Sequence, residues 1–349
     1  MGHRVTLMPS GHTFEVPEGQ SILTAGLGSG CNLPYSCRSG CCLTCHGTLL
    51  EGEVDYGFVL DIYLTPERKA QGTVLLCQAK PLSDVVVEVH ELSLQGIKPR
   101  TFPCKVRRIE RVAPDAAIVT LRMPPFDNML FAAGQYIDLL LEGGERRSYS
   151  VANAPEVGLI DLELHVRHTP GGLFTDRVFS SLEADERLQF EGPLGTFYLR
   201  EESDKPIVFL ASGTGFGPIQ SIVDYALKRR IARPMTIYWG CRTKSDLYRF
   251  EKAEGWAKSH TNVRFVPVLS EPKAEDAWKG RTGFVHRAVM EDFPDLSGHQ
   301  VYACGAPVMV EAARADFSVK CGLPPDEFFA DAFLTQAEKS AGAPAGAAS

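Results

Sequence analysis

Four cysteines near the N-terminus have the spacing needed to hold iron. Cys37, Cys42 and Cys45 follow a C-x4-C-x2-C pattern, and Cys77 lies 32 positions further on, an arrangement that lets thiolates hold a [2Fe–2S] cluster. One tight loop and one distant strand must then surround a small anionic cluster, with loop amides turned toward the sulfurs. The sequence therefore predicts a [2Fe–2S] centre on these four cysteines.

A structural zinc site is the main alternative for the same cysteines. Zinc ribbons usually bring two close pairs of cysteines, whereas this chain has one close pair, one outlier and one distant cysteine. We expect the side chain of Cys41 to point away if its neighbour binds iron, and Cys31 to be a small buried hydrophobe. Neither cysteine is included in the predicted ligand set.

Two segments in the middle of the chain suit a flavin. Arg147, Tyr149 and Ser150 offer a cation for a pyrophosphate, a ring for the isoalloxazine and a hydroxyl for N5. Downstream, the Gly-rich turn at 170–175 (PGGLFT) is expected to open a helix whose free amides bind flavin phosphate. An exposed strand and a plain helix cap are the ordinary alternatives for each segment taken alone.

Three further segments suit a dinucleotide. Residues 213–218 (GTGFGP) lie directly after a predicted buried strand and before a helix, where phosphates bind in open α/β sheets, although the spacing is not G-x-G-x-x-G. Residues 238–242 (YWGCR) and 302–307 (YACGAP) each end a predicted strand at the same sheet edge. Cys304 is therefore either a buried core thiol or a site residue.

The elements that position these segments fall into three predicted domains. Residues 1–98 start with a β-hairpin and a short helix and end with a strand and a linker. Residues 99–202 hold many short strands at a spacing typical of a closed antiparallel barrel. Residues 203–335 alternate buried strands with helices, which indicates a parallel α/β sheet. The Ala-, Gly- and Ser-rich tail at 336–349 is predicted to be disordered.

Composition excludes several classes of function. The 349 residues carry a net charge of −7 with no basic stripe, which argues against nucleic acid as a partner. Positions 1–98 hold 6 basic and 10 acidic residues, so an acidic first domain could help to dock a basic protein. No segment approaches a membrane span and the start lacks a signal peptide. We therefore expect a cytoplasmic protein whose crowded cysteines bind metal rather than form disulfides.

Together these motifs resemble a known family. Residues 3–92, with Pro34-Tyr35-Ser36-Cys37, resemble plant-type ferredoxins of the β-grasp fold, although the family usually has a small residue at the position of Leu43. Residues 102–333 resemble the ferredoxin–NADP reductase superfamily, specifically its oxygenase-reductase branch with an N-terminal ferredoxin. The motifs R-x-Y-S, G-T-G-x-x-P, Y-W-G-x-R and C-G-x-P, followed by an aromatic residue, occur in the family's order.

The resemblance implies a role for each candidate residue. It places FAD on an antiparallel barrel, with Arg147 on phosphate, Tyr149 against the ring and Ser150 near N5. The same comparison implies further site residues: Gly172 and Thr175 at the flavin pyrophosphate; Gly213, Thr214, Gly215, Gly217, Arg242 and Cys304 at the nicotinamide dinucleotide; and Phe333 shielding the flavin face. Ser150, Cys304 and Phe333 are the predicted catalytic residues.

The implied reaction passes electrons from NADH to FAD, to the [2Fe–2S] cluster and then to a protein acceptor. NADH is preferred to NADPH by the resemblance and because residues 238–248 show no basic pair dedicated to a 2′-phosphate, while Arg242, Lys244 and Arg249 leave NADPH as the alternative. The predicted acceptor is the oxygenase component of a multicomponent oxygenase. One alternative is a CDP-6-deoxyhexose dehydrase in deoxysugar synthesis. Another, of a different class, is a redox-sensing iron–sulfur regulator.

Overall fold

A computed structural model describes residues 2–91, 99–127 and 129–334. The chain forms two compact units, Met1–Gly96 with Leu334–Ser349, and Ile97–Phe333. The predicted linker at 96–99 lies outside the described residues except for Pro99, and the predicted tail at 336–349 lies entirely outside them. Each unit is described by itself.

The first unit is a mixed five-stranded sheet with order β2-β1-β7-β3-β5. Strand β1 pairs in parallel with β7 and antiparallel with β2, and helix α1 packs next to β2. This arrangement is the predicted β-grasp fold. Its elements are β1 His3–Met8, β2 Thr13–Val16, α1 Ile22–Gly28, β3 His46–Glu51, β4 Val54–Asp55, α2 Pro66–Ala70, β5 Thr73–Leu75, β6 Lys80–Pro81 and β7 Val85–Glu88.

Helix α1 shows why the sequence folds locally as it does. The Ser21 hydroxyl accepts a hydrogen bond from the amide of Thr24 and caps the first turn. Ile22, Leu23 and Ala25 are buried in the core. Gly30, with φ of +88°, follows in the left-handed conformation that ends the turn. The chain then enters the segment that leads to the cysteine loop.

An antiparallel barrel forms the first part of the second unit. Its six strands have the order β11-β10-β13-β8-β9-β12. A bridge between Val151 and Leu164, together with the Ala152 amide donating to the Glu163 carbonyl at 2.8 Å, joins the two edges. The predicted closed barrel is therefore present. Its elements are β8 Arg100–Ala113, β9 Ala116–Arg122, β10 Tyr136–Leu140, β11 Arg146–Ser150, β12 Asp161–Arg167, α3 Thr175–Ser180 and β13 Arg187–Leu194.

A six-stranded parallel sheet, with order β17-β16-β15-β14-β18-β19, forms the rest of this unit. The chain runs outward from β14 to β17 and returns to β18, so a crevice that can bind ligands opens between β14 and β18 at their carboxyl ends. Its elements are β14 Ile207–Ser212, α4 Phe216–Lys228, β15 Met235–Cys241, α5 Phe250–Ser259, β16 Val263–Leu269, β17 Arg281–Thr282, α6 Val285–Asp292, β18 Gln300–Gly305, α7 Pro307–Lys320 and β19 Phe328–Ala332.

Within the second unit, a polar network joins the barrel to the parallel sheet. The Glu163 carboxylate on β12 accepts hydrogen bonds from Gln220 of α4 at 3.0 Å and from Arg249 at 3.2 Å. It also lies 2.9 Å from His165, whose other ring nitrogen lies 2.8 Å from the Tyr248 hydroxyl. Burial alone would raise the pKa of Glu163, but His165, Gln220 and Arg249 together outweigh it through hydrogen bonds and positive charge and hold the pKa at about 2.

The described helices are all short, and the longest, α7, has 14 residues. Over residues 2–91, 99–127 and 129–334, none combines the length and the apolar character needed to cross a bilayer.

Candidate functional site

The cluster cysteines lie in two pairs. The pKa of Cys42 is raised well above its ordinary value, first by a hydrogen bond with Cys37 and then by burial. The pKa of Cys45 is raised in the same way by Cys77 and by burial. Such effects require each thiol to lie close to its partner. The distant cysteine at position 77 therefore reaches the loop that holds the other three.

Backbone amides surround the more accessible pair. The amides of Ser39 and Cys42 both point at the Cys37 sulfur at 3.4 Å, and the Cys37 amide points at the Cys42 sulfur at 3.5 Å. Amide donors of this kind stabilise the negative charge of metal-bound thiolates. The loop therefore already has the donor arrangement that an anionic cluster requires.

Two separate pairs fit two irons better than one zinc ion. A tetrahedral zinc with four thiolates needs all its sulfurs about 3.8 Å apart, given Zn–S bonds of about 2.3 Å. Among the described residues, no group of three or more potential ligand atoms within 4.8 Å of one another includes these cysteines. The arrangement, with two thiols for each iron, fits a [2Fe–2S] cluster.

The two unusual residues of the loop have definite places in the structure. Leu43 is buried with φ of +58°, a left-handed conformation that small residues adopt more easily. This conformation explains why a small residue is usual there. The Cys41 thiol lies 3.3 Å from the Ser39 hydroxyl and also interacts with Cys37. The expectation that Cys41 points away from the ligands was therefore wrong.

The predicted flavin residues lie together at the end of β11. Ser150 is buried, and its hydroxyl donates to Asp331 of β19 at 3.3 Å. The Tyr149 ring packs 5.4 Å from Phe174, and burial raises the pKa of its hydroxyl well above the ordinary value. Arg147 donates to Glu145 at 2.7 Å. These positions suit the predicted roles, which remain predictions.

The side chain of Thr175 holds the Gly-rich turn at 170–175 in a closed conformation. The Thr175 hydroxyl donates to the Thr169 carbonyl at 2.9 Å and accepts from the Thr169 amide at 3.2 Å. A Cβ on Gly172 would lie 2.4 Å from the Thr175 hydroxyl. The helix that follows, α3, has only six residues. Gly172 and Thr175 thus shape the turn, and flavin phosphate binding by it is still a prediction.

Glycines bring the two central strands of the parallel sheet into close contact. A Cβ on Gly215 would lie 2.2 Å from the Cys304 carbonyl oxygen, and one on Gly305 would lie 2.3 Å from the Ser212 hydroxyl. Gly213, with φ of +52°, accepts a hydrogen bond from the Trp239 indole at 2.9 Å. The structure thus brings these predicted glycines to the β14–β18 crevice.

Other predicted residues lie along the same crevice. Thr214 is buried in the turn, and a Cβ on Gly217 would lie 3.2 Å from His165. Cys304 is fully buried, and burial, followed by the charge of Asp331, raises the pKa of its thiol well above the ordinary value. The amide of Phe333 donates to the Gly305 carbonyl at 2.8 Å. A neutral thiol and a closing aromatic residue therefore flank the end of β18.

Sequence reasoning missed Asp331 as a site residue. Its carboxylate is buried, accepts a hydrogen bond from Ser150 and acts on the pKa of Cys304. The three groups come from β11, β18 and β19, so no local motif unites them.

Sequence reasoning also missed a charged cluster beside the glycine turn. Asp115 accepts hydrogen bonds from Arg167 at 2.8 and 3.0 Å and from Arg242 at 3.4 Å. A Cβ on Gly213 would lie 3.0 Å from the Arg167 guanidinium, so that cation lies directly over the turn. The predicted site residue Arg242 is thus already paired with a carboxylate.

Comparison with known domain families assigns each part of the chain. Residues 5–82 match the 2Fe-2S iron-sulfur cluster binding domain, residues 103–198 the oxidoreductase FAD-binding domain, and residues 209–315 the oxidoreductase NAD-binding domain. The three domains with their sites define an oxidoreductase that transfers electrons through FAD and a [2Fe–2S] cluster.

Relatives extend over nearly the whole chain. The CDP-6-deoxy-L-threo-D-glycero-4-hexulose-3-dehydrase reductase of Yersinia pseudotuberculosis is 44% identical over 335 residues, 96% of this chain and 99% of the relative. Terephthalate 1,2-dioxygenase reductase component 2 of Comamonas sp is 35% identical over 96% of this chain and 98% of its own. The structure of an Amycolatopsis cytochrome P450 reductase is 35% identical with a TM-score of 0.76, over 95% and 99% of the two chains. The chain belongs to the oxygenase-reductase branch of the ferredoxin–NADP reductase superfamily, with its ferredoxin domain at the N-terminus.

Proposed function

We propose that this reductase takes a hydride from NADH in the β14–β18 crevice and delivers single electrons to an outside protein. The observation that carries the proposal is the convergence of Ser150, Cys304 and Asp331 at one end of the crevice. Bound FAD would supply the chemistry, because it accepts two electrons together and releases them one at a time. We also propose domain boundaries at 98/99 and 202/203.

The chain's own residues would orient the reactants. Ser150 would hold its hydroxyl toward the flavin while Asp331 fixes the orientation of that hydroxyl. Cys304 would present a neutral thiol to the nicotinamide, because its pKa is raised far above physiological pH. Phe333 would cover the flavin face until nicotinamide displaces it. Orientation of this kind accounts for much of the rate of a hydride transfer, and no general base is needed.

Preference for NADH is supported by the charges near β15. Arg242 is paired with Asp115, and Arg249 is hydrogen-bonded to Glu163. Both cations are therefore already engaged with carboxylates, Arg242 sharing Asp115 with Arg167, and they are less available for a 2′-phosphate. The ratio of kcat/KM for the two nicotinamides tests this point. A many-fold advantage of NADPH would contradict it.

A surface beside the cluster loop suits a protein acceptor. Phe58, Leu60 and Ile62 are exposed, and a Cβ on Gly40 of the loop would lie 3.2 Å from the Val59 side chain. Exposed apolar groups at such a spot fit a docking surface. Ile62→Glu is expected to raise the KM for the protein acceptor about tenfold and to leave ferricyanide reduction unchanged. Equal effects on both acceptors would contradict this role.

The proposed acceptor is the oxygenase component of a multicomponent oxygenase. Similarity to the terephthalate dioxygenase reductase and to the cytochrome P450 reductase over nearly the whole chain supports it. A second candidate is a CDP-6-deoxyhexose dehydrase, which the 44% identity to a dehydrase reductase favours. The purified reductase, mixed with each candidate partner and NADH, should support turnover with only one of them.

One spectroscopic experiment tests the electron path itself. Anaerobic NADH should bleach both the flavin and the iron–sulfur bands of the purified protein, and artificial acceptors should then be reduced catalytically. A redox sensor would instead oxidise NADH negligibly under the same conditions. A colourless protein that contains zinc would refute the proposal.

A further inference from the structure

Three potential metal ligands that are not among the four cluster cysteines converge in the first unit. They are His12, Cys31 and Glu91, and their ligand atoms all lie within 4.8 Å of one another. The His12 Nδ1 atom is 2.7 Å from a Glu91 carboxylate oxygen. Within the described residues, this is the one group of at least three such side chains that is this compact.

Backbone hydrogen bonds anchor His12 and Cys31 directly and Glu91 through the preceding Val89. His12 ends the β1–β2 turn, where its carbonyl accepts from the Leu7 amide at 2.8 Å. Cys31 follows the left-handed Gly30, and its amide donates to the Gly26 carbonyl at 2.9 Å. Glu91 lies two residues after Val89, whose amide donates to the Met8 carbonyl at 2.9 Å. Three separately fixed segments therefore present one ligand each.

The group is partly covered and partly open. Cys31 is buried and the Glu91 side chain is 14% exposed, whereas the His12 side chain is 65% exposed. Burial, and then the neighbouring Glu91 carboxylate, raise the pKa of the Cys31 thiol. The thiol therefore retains its proton and shares the carboxylate with His12. A cation could enter from the histidine side and satisfy all three groups together.

We propose that His12, Cys31 and Glu91 form a Zn²⁺ site with three protein ligands and a fourth position open to water. One sulfur, one imidazole nitrogen and one carboxylate are ligands that zinc accepts, whereas Mg²⁺ and Ca²⁺ take oxygen ligands. Binding forms a Zn–S bond, and the Cys31 proton passes to solvent without any change of oxidation state.

The site would connect three parts of the unit that are far apart in sequence. Zinc would join the β1–β2 turn, the segment after α1 and the segment after β7. Zinc bound there would stabilise the folded unit by mass action. None of its ligands belongs to the cluster, so the site is independent of the proposed electron transfer.

Calorimetric titration of the holoprotein with Zn²⁺ tests the proposal. We expect one site per chain, and at least about tenfold weaker binding for Cys31→Ser and for His12→Ala. His90→Ala is the matched control, because His90 is exposed and adjacent to Glu91 but lies outside the group. It should keep the wild-type affinity. The visible spectrum of the cluster should stay unchanged throughout, which excludes replacement of iron by zinc.

X-ray absorption at the zinc edge provides a second readout. We expect one sulfur among the zinc ligands of the wild type and none in Cys31→Ser. The His12→Ala variant changes only an exposed side chain, so it tests the site even if Cys31→Ser folds poorly. The proposal is overturned if the wild type binds no zinc, if His12→Ala and His90→Ala bind it equally well, or if zinc has two or more sulfur ligands.

Discussion

Leu43 offers a sharp test of how the cluster loop is built. This residue lies between Cys42 and Cys45, is buried, and has a left-handed φ of +58°. Its carbonyl accepts hydrogen bonds from the His46 amide at 3.1 Å and is 2.9 Å from the His46 ring. Replacement by alanine removes packing and keeps the backbone strain, whereas replacement by glycine removes both.

The expected changes in the free energy of unfolding follow from the lost packing and from the backbone strain. Loss of the buried leucine side chain costs about 3–5 kcal/mol in either variant. Relief of the left-handed strain returns about 1–2 kcal/mol to Leu43→Gly alone. The greater backbone entropy of glycine and the lost methyl group remove about 1–2 kcal/mol of that gain. Both variants should therefore be less stable than the wild type, and because the last two contributions nearly cancel, the glycine and alanine variants should be about equally stable.

The assay is the rate at which the visible iron–sulfur absorbance is lost in guanidinium chloride at a fixed temperature. Leu23, a buried residue of helix α1, provides the control pair. There the glycine variant should lose its cluster faster than the alanine variant, because glycine costs about 1 kcal/mol in a helix. The reasoning is refuted if Leu43→Gly is less stable than Leu43→Ala by as much as Leu23→Gly is less stable than Leu23→Ala.

Three further predictions concern the second unit. Ser150→Ala should slow flavin reduction by NADH on the order of 10- to 100-fold with the FAD content unchanged; an unaltered stopped-flow rate would rule out its orienting role. Gly215→Ala should raise the KM for NADH and lower the Tm, because the new Cβ would lie 2.2 Å from a backbone oxygen of β18. Gly255→Ala in α5, with nothing within 4 Å, should not lower the Tm. The pKa of Glu163, held at about 2 against an ordinary 4.5 chiefly by His165 despite burial, makes the wild type lose stability as the pH falls through this range. Denaturation of Glu163→Gln should show a flatter profile there, and identical profiles would contradict the assignment.

The features that sequence alone predicted depend on local order along the chain. The spacing of Cys37, Cys42 and Cys45 constrains one loop, and only Cys77 had to be joined to it from a distance. The strands of the barrel and of the parallel sheet follow from short apolar runs between turns. The helix expected after the glycine turn is α4, which begins within that turn at Phe216 and ends at Lys228.

The features that sequence did not predict depend on strands that meet only in three dimensions. Asp331 reaches Ser150 across 181 positions, and Arg242 reaches Asp115 across 127. Glu91 and His12 are 79 positions apart. Hydrophobic periodicity within one helix or strand carries no information about contacts between residues so far apart in sequence. The left-handed backbone of Leu43 was equally hidden, since leucine is not a residue that favours that conformation.

The polar network around Glu163 has a consequence for the precision of catalysis. Apolar surfaces slide over one another at little cost, whereas hydrogen bonds are directional and weaken steeply when they are bent. The carboxylate of Glu163, held by Gln220, Arg249 and His165, therefore resists rotation between barrel and sheet. Hydride transfer is slowed strongly, on the order of 100-fold, when the reacting atoms are displaced by about 1 Å. Loss of these hydrogen bonds would thus lower the fraction of bound NADH that lies in a reactive alignment, even with every residue of the crevice unchanged.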